Sequence, residues 1–430
     1  MLRCGMAEVD ITPPLGSSIP GYFKDRRSSG VRDPLYAKAL VVETEERTVA
    51  FIVTDTIDLA RRDVERIRER VQQLTDIPDS HIMVSATHTH TGPPVKEGFN
   101  SQIDESYMEW FAKKAADAAV LAHKGRVEAR IGFGRGHEAD IAFNRRYFMK
   151  DGTFRTNPGV NNPLTDRAAG PIDPELLVVR IDAADGSPIG VLTNYACHTD
   201  AVGGSEYSAD FPGVMSALIK KALGDKTIHM FMMGTSGNIN HIDISGKFKG
   251  PNHHIRIGTV LAAETLKVRE KIVDASGELE LDVNRTFFGA PHRSPTEQEV
   301  RQADEALGNE AAAGDVELAF ARQIRKLQAE GPGMTEIEIQ SIRLGGLAIV
   351  GVPAELFVEF GLGIKANSPF PFTLVNELCN GSTRGYICTQ EAYGQGGYEP
   401  RTSNNSKMAI DTGDRIVEHV VELLHSLHSR

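Results

Sequence analysis

The sequence predicts an α/β protein: a mixed central β-sheet flanked by helices, with a metal site at the carboxyl ends of strands. Three observations lead there. Short apolar runs alternate with amphipathic stretches along most of the chain, the pattern of strands interleaved with helices. Two of those runs, His81-Ile82-Met83-Val84 and Ile189-Gly190-Val191-Leu192, each lead into a Gly-containing loop that carries a histidine, His88 and His198. Loops just beyond strand carboxyl ends are where an open α/β sheet presents its functional groups. The composition, 40% hydrophobic and 24% charged over 430 residues, is that of a globular enzyme.

In chain order, Ala7 to Thr12 alternates as a strand until Pro13-Pro14-Leu15-Gly16 breaks it. Leu35 to Glu43 and Thr48 to Thr54 read as a hairpin, and Asp63 to Leu74 as a charged amphipathic helix. The Ala-rich stretch Glu105 to His123 predicts a helix, and Arg126 to Gly132 a strand. Gly132 to Pro174, rich in Gly, Asn and Pro, reads as a long loop, which is usually functional or disordered. Leu176 to Ile181 and Ile189 to Tyr195 are strands. A helix over Phe211 to Leu223 has Pro212 in its first turn, where proline is tolerated. His229 to Met233 is a buried strand running into Gly234 to Asn240. Ser294 to Glu330 predicts an inserted helical hairpin, a solvated face or an oligomer contact. Strands return at Glu336 to Leu344, Leu347 to Val352 and Phe372 to Val375, and a terminal helix runs from Ser406 to about Leu427. No internal repeat and no low-complexity linker interrupts the chain, so residues 1–430 are expected to form a single catalytic unit.

Composition also excludes partners. The net charge of −11 argues against nucleic acid and against an anionic membrane surface, both of which need a basic patch. No apolar stretch approaches the ~20 residues of a membrane helix. The N-terminus has no apolar core of a secretory signal. Cys4, Cys197, Cys379 and Cys388 are too few for a disulfide framework and read as reduced, buried thiols. A cytoplasmic protein with a small-molecule substrate is the expectation.

Two imidazoles from two strand ends, with acidic and phenolic candidates further on, suggest a catalytic metal, which takes three or four N/O ligands and keeps one position open. The motifs in order are Glu8-Val9-Asp10-Ile11-Thr12-Pro13-Pro14, His88-Thr89-His90-Thr91-Gly92-Pro93, Asn144-Arg145, Asn194 to His198, Gly237 to Asn240, Pro353-Ala354-Glu355, and Tyr386 to Glu399. Together they resemble the catalytic domain of the neutral/alkaline, non-lysosomal ceramidase family, zinc amidases that cleave the N-acyl bond of ceramide. The resemblance is to a short bacterial-type relative without the C-terminal immunoglobulin-like domain. It implies Zn²⁺ on His88, His198, Glu355 and Tyr386, and places His90, Arg145 and Tyr398 around the scissile bond. Tyr398 follows Tyr386 by twelve residues, the family's spacing.

One position departs from the family. Asn240 stands where the family has its serine nucleophile, and His241 where it has proline. An amide is no nucleophile. Ser236 and Thr235 lie nearby without an evident base. The expected reaction is therefore direct attack of zinc-bound water on the amide or related acyl bond of a small polar substrate, with Asn240 positioning. Two alternatives stay open: a zinc enzyme directed at a sugar lactone, ester or glycosidic bond, served by Asn161-Asn162, and a non-enzymatic ligand binder. Asp243 and His253-His254 read as an ordinary polar loop beside Pro251-Asn252.

Overall fold

Alternation of side chains in the strands decides the architecture. Along strand Tyr36–Glu43, Ala37, Ala39 and Val41 face helices Arg61–Thr75 and Glu105–Lys124, while Leu40 and Val42 face the opposite way. Those second residues meet Ile342, Leu344, Ile349 and Leu374, which belong to another sheet. A strand apolar on both faces must be covered on both faces. The result, in a computed structural model describing residues 1–96, 99, 101–248, 250–381, 383 and 385–430, is two sheets packed face to face between outer helices.

The larger sheet has eight strands in the order Ile228–Met233, Pro188–Tyr195, Glu175–Ala183, Val127–His137, Arg3–Asp10, Tyr36–Glu43, Thr48–Thr54, Ile82–Ala86. Its two outermost pairs are parallel and the pairs between them antiparallel. The smaller sheet orders Leu281–Pro291, Met334–Leu344, Leu347–Gly351 and Phe372–Asn376, with only the last pair parallel. Its outer face, through Ala348, Val350 and Val375, is covered by Ile416, Val420, Leu424 and Leu427 of the terminal helix Thr412–His428. The loop leaving Phe372–Asn376 ties both edges of the larger sheet to the smaller one. Glu377 N donates to Met233 O at 2.9 Å, and Asn380 N donates to Val84 O at 2.8 Å. Both edge strands thus find backbone partners instead of offering open edges.

The expected hairpin, helices and most strands are present, with three differences. The stretch after Gly132 is not a loop: strand Val127–His137 continues through it, and residues 146–149, 154–156 and 165–168 form a three-stranded sheet. Gly132, Gly134 and Gly136 serve close packing. A Cβ on them would come within 2.4, 2.8 and 2.6 Å of Ile272, Val268 and Glu264 side chains. Helix His253–Lys271 lies directly on that glycine face, and the His253-His254 pair sits in its first turn, not in a loop. The terminal helix starts at Thr412, later than Ser406, because Ser406 and Met408 carbonyls are held by Arg293. The hairpin helices, Glu297–Gly308 and Asp315–Glu330, pack on each other, and the second buries Phe320, Ile324 and Leu327. Among the described residues no helix is long and apolar enough to cross a membrane. All four cysteines are buried and free.

One buried ion pair spans the layers. Arg68, on helix Arg61–Thr75, donates to both carboxylate oxygens of Glu338 at 3.1 and 2.8 Å and to Ile82 O at 3.0 Å. Removing one partner would strand a buried charge. Glu338→Ala should lower unfolding stability by about 3–5 kcal/mol in denaturant titration. A loss under about 1 kcal/mol would show that the pair does not hold the sheets together.

Candidate metal centre

The two sheets deliver their functional side chains to one point. His88 and His90 leave the end of strand Ile82–Ala86, and His198 leaves strand Pro188–Tyr195. Glu355 follows strand Leu347–Gly351 of the smaller sheet and pairs in a short parallel ladder with Tyr386. His88 itself has a left-handed backbone (φ 67°), a conformation costly for a residue with a Cβ and frequent at functional sites. Gly237 lets the smaller sheet approach, since a Cβ there would lie 2.5 Å from Glu355 O.

Backbone carbonyls fix the three imidazoles. His88 Nδ1 donates to Ile57 O at 2.6 Å, His198 Nδ1 to Ser236 O at 3.0 Å and His90 Nδ1 to Gly21 O at 3.1 Å. A carbonyl only accepts, so each ring carries its proton on Nδ1 and leaves Nε2 as a bare lone pair. Those lone pairs face one another: His88 Nε2 lies 3.0 Å from His198 Nε2 and 3.3 Å from His90 Nε2. Glu355 Oε2 stands 3.4 Å from His88 Nε2 and 3.5 Å from His198 Nε2, buried and without a hydrogen-bond partner. With the rings neutral, four acceptors meet with no donor among them. Ligand atoms on a tetrahedral zinc, with bonds of 2.0–2.1 Å, are roughly 3.3 Å apart. The donor set and its spacing fit a metal ion, and the three histidines could hold one.

Electrostatics divide the imidazoles: burial works against a charged His88, yet the Glu355 carboxylate beside it holds it above its ordinary value, whereas His90 and His198 are held neutral. Burial, then the neighbouring His88, pushes His90 down to about 4. Burial, then Arg145, holds His198 well below its ordinary value. Burial works against ionisation of Glu355, yet His88 and His198 hold its carboxyl well below the usual range.

The remaining expected residues divide. Tyr386 and Tyr398 line a cavity of about 50 Å³ together with His88, His90 and Glu355. Their rings lie 5.6 Å apart edge-on, and their hydroxyls are in hydrogen-bonding contact. Arg145 is buried. It donates to Glu399 Oε1 at 2.8 Å and to Gly237 O at 2.6 Å, and its Nη1 reaches 3.5 Å from His198 Nε2. Arg145 also contacts the Tyr386 phenol, with its guanidinium 5.3 Å from the ring centre. Asn240 is buried and follows Ile239, whose carbonyl accepts from His198 N at 3.3 Å. Its amide donates to Asn157 Oδ1 at 2.9 Å, and its oxygen accepts from Ile242 N at 3.0 Å. Ser236 Oγ is committed to Glu377 Oε1 at 2.6 Å. Asn162 bonds its own loop, at Pro158 O, and Asp243 bonds Ser245.

Three further residues complete the surroundings of the site. Glu377 follows a strand end as Glu355 does, and burial pushes its carboxyl up to about 8 despite the Ser236 bond. Glu399 is shared by Arg145 and Arg146, each at 2.8 Å. Lys96, buried and bound to Asp58 at 2.7 Å, lines the cavity. The consecutive Arg145-Arg146 was a usable signal for a buried acid; the lysine, in a loop, gave none.

Comparison with known proteins now decides the family. The profile described as neutral/alkaline non-lysosomal ceramidase, N-terminal, matches residues 2–264. The chain belongs to this family. It is 22% identical to a neutral ceramidase of Mycobacterium tuberculosis over 93% of this chain and 73% of that one. It is 24% identical to neutral ceramidase B of Dictyostelium discoideum over 52% of this chain and 32% of that one. The crystal structure of neutral ceramidase from Pseudomonas aeruginosa superposes with a TM-score of 0.76 at 19% identity, covering all of this chain and 75% of that one. The neutral/alkaline ceramidases are hydrolases, and this protein is one of them.

Metal content follows from the donor geometry. Protein purified with metal available should carry about one transition-metal ion per chain, by the ligand set described. His88→Ala and His198→Ala should each lose most of it in elemental analysis, whereas Asp243→Ala should keep it. Retention of metal by both histidine variants would place the ion elsewhere.

Proposed function

We propose that the protein is a zinc-dependent amidase that hydrolyses the N-acyl bond of a small polar substrate by direct attack of water. The observation that carries this is the meeting of three bare imidazole nitrogens with an unpartnered buried carboxylate oxygen. His88, His198 and Glu355 would hold the ion, with Tyr386 beside Glu355 as a fourth, exchangeable donor. Zinc bound there would supply a Lewis acid toward the acyl oxygen and an acidified water. The amide character of the bond is taken from the relatives, which are named as ceramidases.

The chain's own groups supply the rest. Burial raises the Tyr386 phenol well above its ordinary value, so it stays protonated and can donate to the acyl oxygen as charge develops there. Arg145, oriented by Glu399 and Gly237, adds a second donor on the same side. His90 Nε2 accepts the proton of the attacking water and passes it to the leaving nitrogen. The water oxygen joins the acyl carbon, the C–N bond breaks, and an acid and an amine leave. Asn240 acts by position, holding residue Asn157 and the turn at Ile242. Ser236 is tied to Glu377, and no imidazole is bonded to its hydroxyl, which supports water over an acyl-enzyme. Residues 1–430 act as one catalytic unit, and the four free cysteines suit a reducing, cytoplasmic setting.

A panel of N-acyl amines, lactones and glycosides tests the reading on zinc-loaded protein. Amides should be cleaved, chelator should abolish turnover, and zinc should restore it. Tyr386→Phe should lower kcat by about 10²–10³ with a smaller change in KM. Asn240→Ala should cost about 10- to 100-fold with metal retained. Cleavage of glycosides or lactones without amides would refute the proposal. Rapid-quench kinetics showing an acyl group trapped on Ser236 would refute the direct attack.

A further inference from the structure

A second, much larger space opens from the metal centre. A cleft of about 1000 Å³ shares Lys96, Phe99, Tyr386 and Asn405 with the small cavity. Its wall on one side is the inserted hairpin. Helix Asp315–Glu330 contributes Arg322, Gln323 and Lys326, and its buried Phe320 packs behind the lining against Phe23, Phe99 and Tyr398. The hairpin therefore shapes the approach to the site and is not a bare solvated face.

The cleft's charge is opposite to that of the protein. Among its described lining residues five are cationic and two are carboxylates, whereas the whole chain carries −11. Two of the cations are already neutralised: Lys96 by Asp58 at 2.7 Å and Arg62 by Glu105 at 2.9 Å. Arg322 makes only an exposed contact of 3.6 Å with Glu310. Lys326, one helical turn after Arg322 on the same face, and Lys407 form no ion pair with any described residue. Lys407 is held in place by its neighbours, since Arg293 bonds the carbonyls of Ser406 and Met408. A concave surface of one sign concentrates field and attracts the opposite charge. The rest of the lining mixes polar groups, Gln102, Thr335 and Asn404, with the apolar side chains of Phe99, Ile103 and Met408.

We propose that this cleft binds an anionic group on the amine side of the N-acyl substrate, through Lys326, Lys407 and Arg322. The small aromatic cavity then takes a short acyl group. This rests on the amidase reading and adds the substrate class: N-acyl amines that end in an anion such as a carboxylate.

The test uses zinc-loaded full-length protein and two probes of equal length, N-acetyl-6-aminohexanoate and its uncharged carboxamide. kcat/KM should favour the anion by about tenfold at low salt, and the preference should shrink with added salt as screening predicts. K326Q/K407Q should bring the ratio near one and leave carboxamide turnover unchanged. A wild-type ratio near one, or a ratio untouched by the double variant, overturns the proposal. Calorimetric binding of the same probes separates the two claims. If neither probe is cleaved, the amidase reading fails for them, and the cleft is then judged by binding alone. Tighter binding of the anion that K326Q/K407Q removes supports it, and equal binding of both probes overturns it.

Discussion

Three imidazole nitrogens and one carboxylate oxygen converge on one buried point, and much of the surrounding structure holds them there. Among the described residues, only Arg145 Nη1, 3.5 Å from His198 Nε2, brings a donor to the cluster of His88, His90, His198 and Glu355. The carbonyls of Ile57, Ser236 and Gly21 take the Nδ1 protons and so aim the Nε2 lone pairs inward. Such an arrangement is unfavourable alone and favourable around a cation, which is why outer bonds of this kind set the affinity of a metal site. A metal bound there would couple its own binding to folding.

No single sheet could assemble the cluster. His88 and His90 follow the edge strand Ile82–Ala86, His198 follows Pro188–Tyr195, the strand next to the opposite edge, and Glu355 comes from the smaller sheet. The 377–380 loop bonds Met233 on one edge and Val84 on the other, so the sheets cannot slide without breaking edge ladders. Arg68 and Glu338 fasten the outer helix to the same assembly. Glycines at 132, 134, 136 and 237 let layers approach where any side chain would collide.

Much of this was legible in the sequence, for definite reasons. Strand ends with histidines and an acid are local signals, and the order of motifs carried the family. The facing second sheet was not legible, because Ala37, Ala39 and Leu40 show that a strand is buried on both sides without saying by what. The glycines of Val127–His137 mimic a loop in composition although they serve contact with a helix. Glu377 and Glu399 were hidden because their importance comes from burial beside Ser236 and the Arg145-Arg146 pair, which only tertiary structure creates. Phe320 looked like part of a surface helix, since the ring cluster it completes is contributed by residues far off in sequence.

The most direct test of the account is the identity of the atoms around the metal. X-ray absorption fine structure of the zinc-loaded protein should show nitrogen and oxygen neighbours at about 2.0–2.1 Å with the outer-shell scattering of at least two imidazoles. Replacing His198 by alanine should remove part of that imidazole signal. A spectrum dominated by sulfur at about 2.3 Å, or one without imidazole scattering, would contradict the site assembled here.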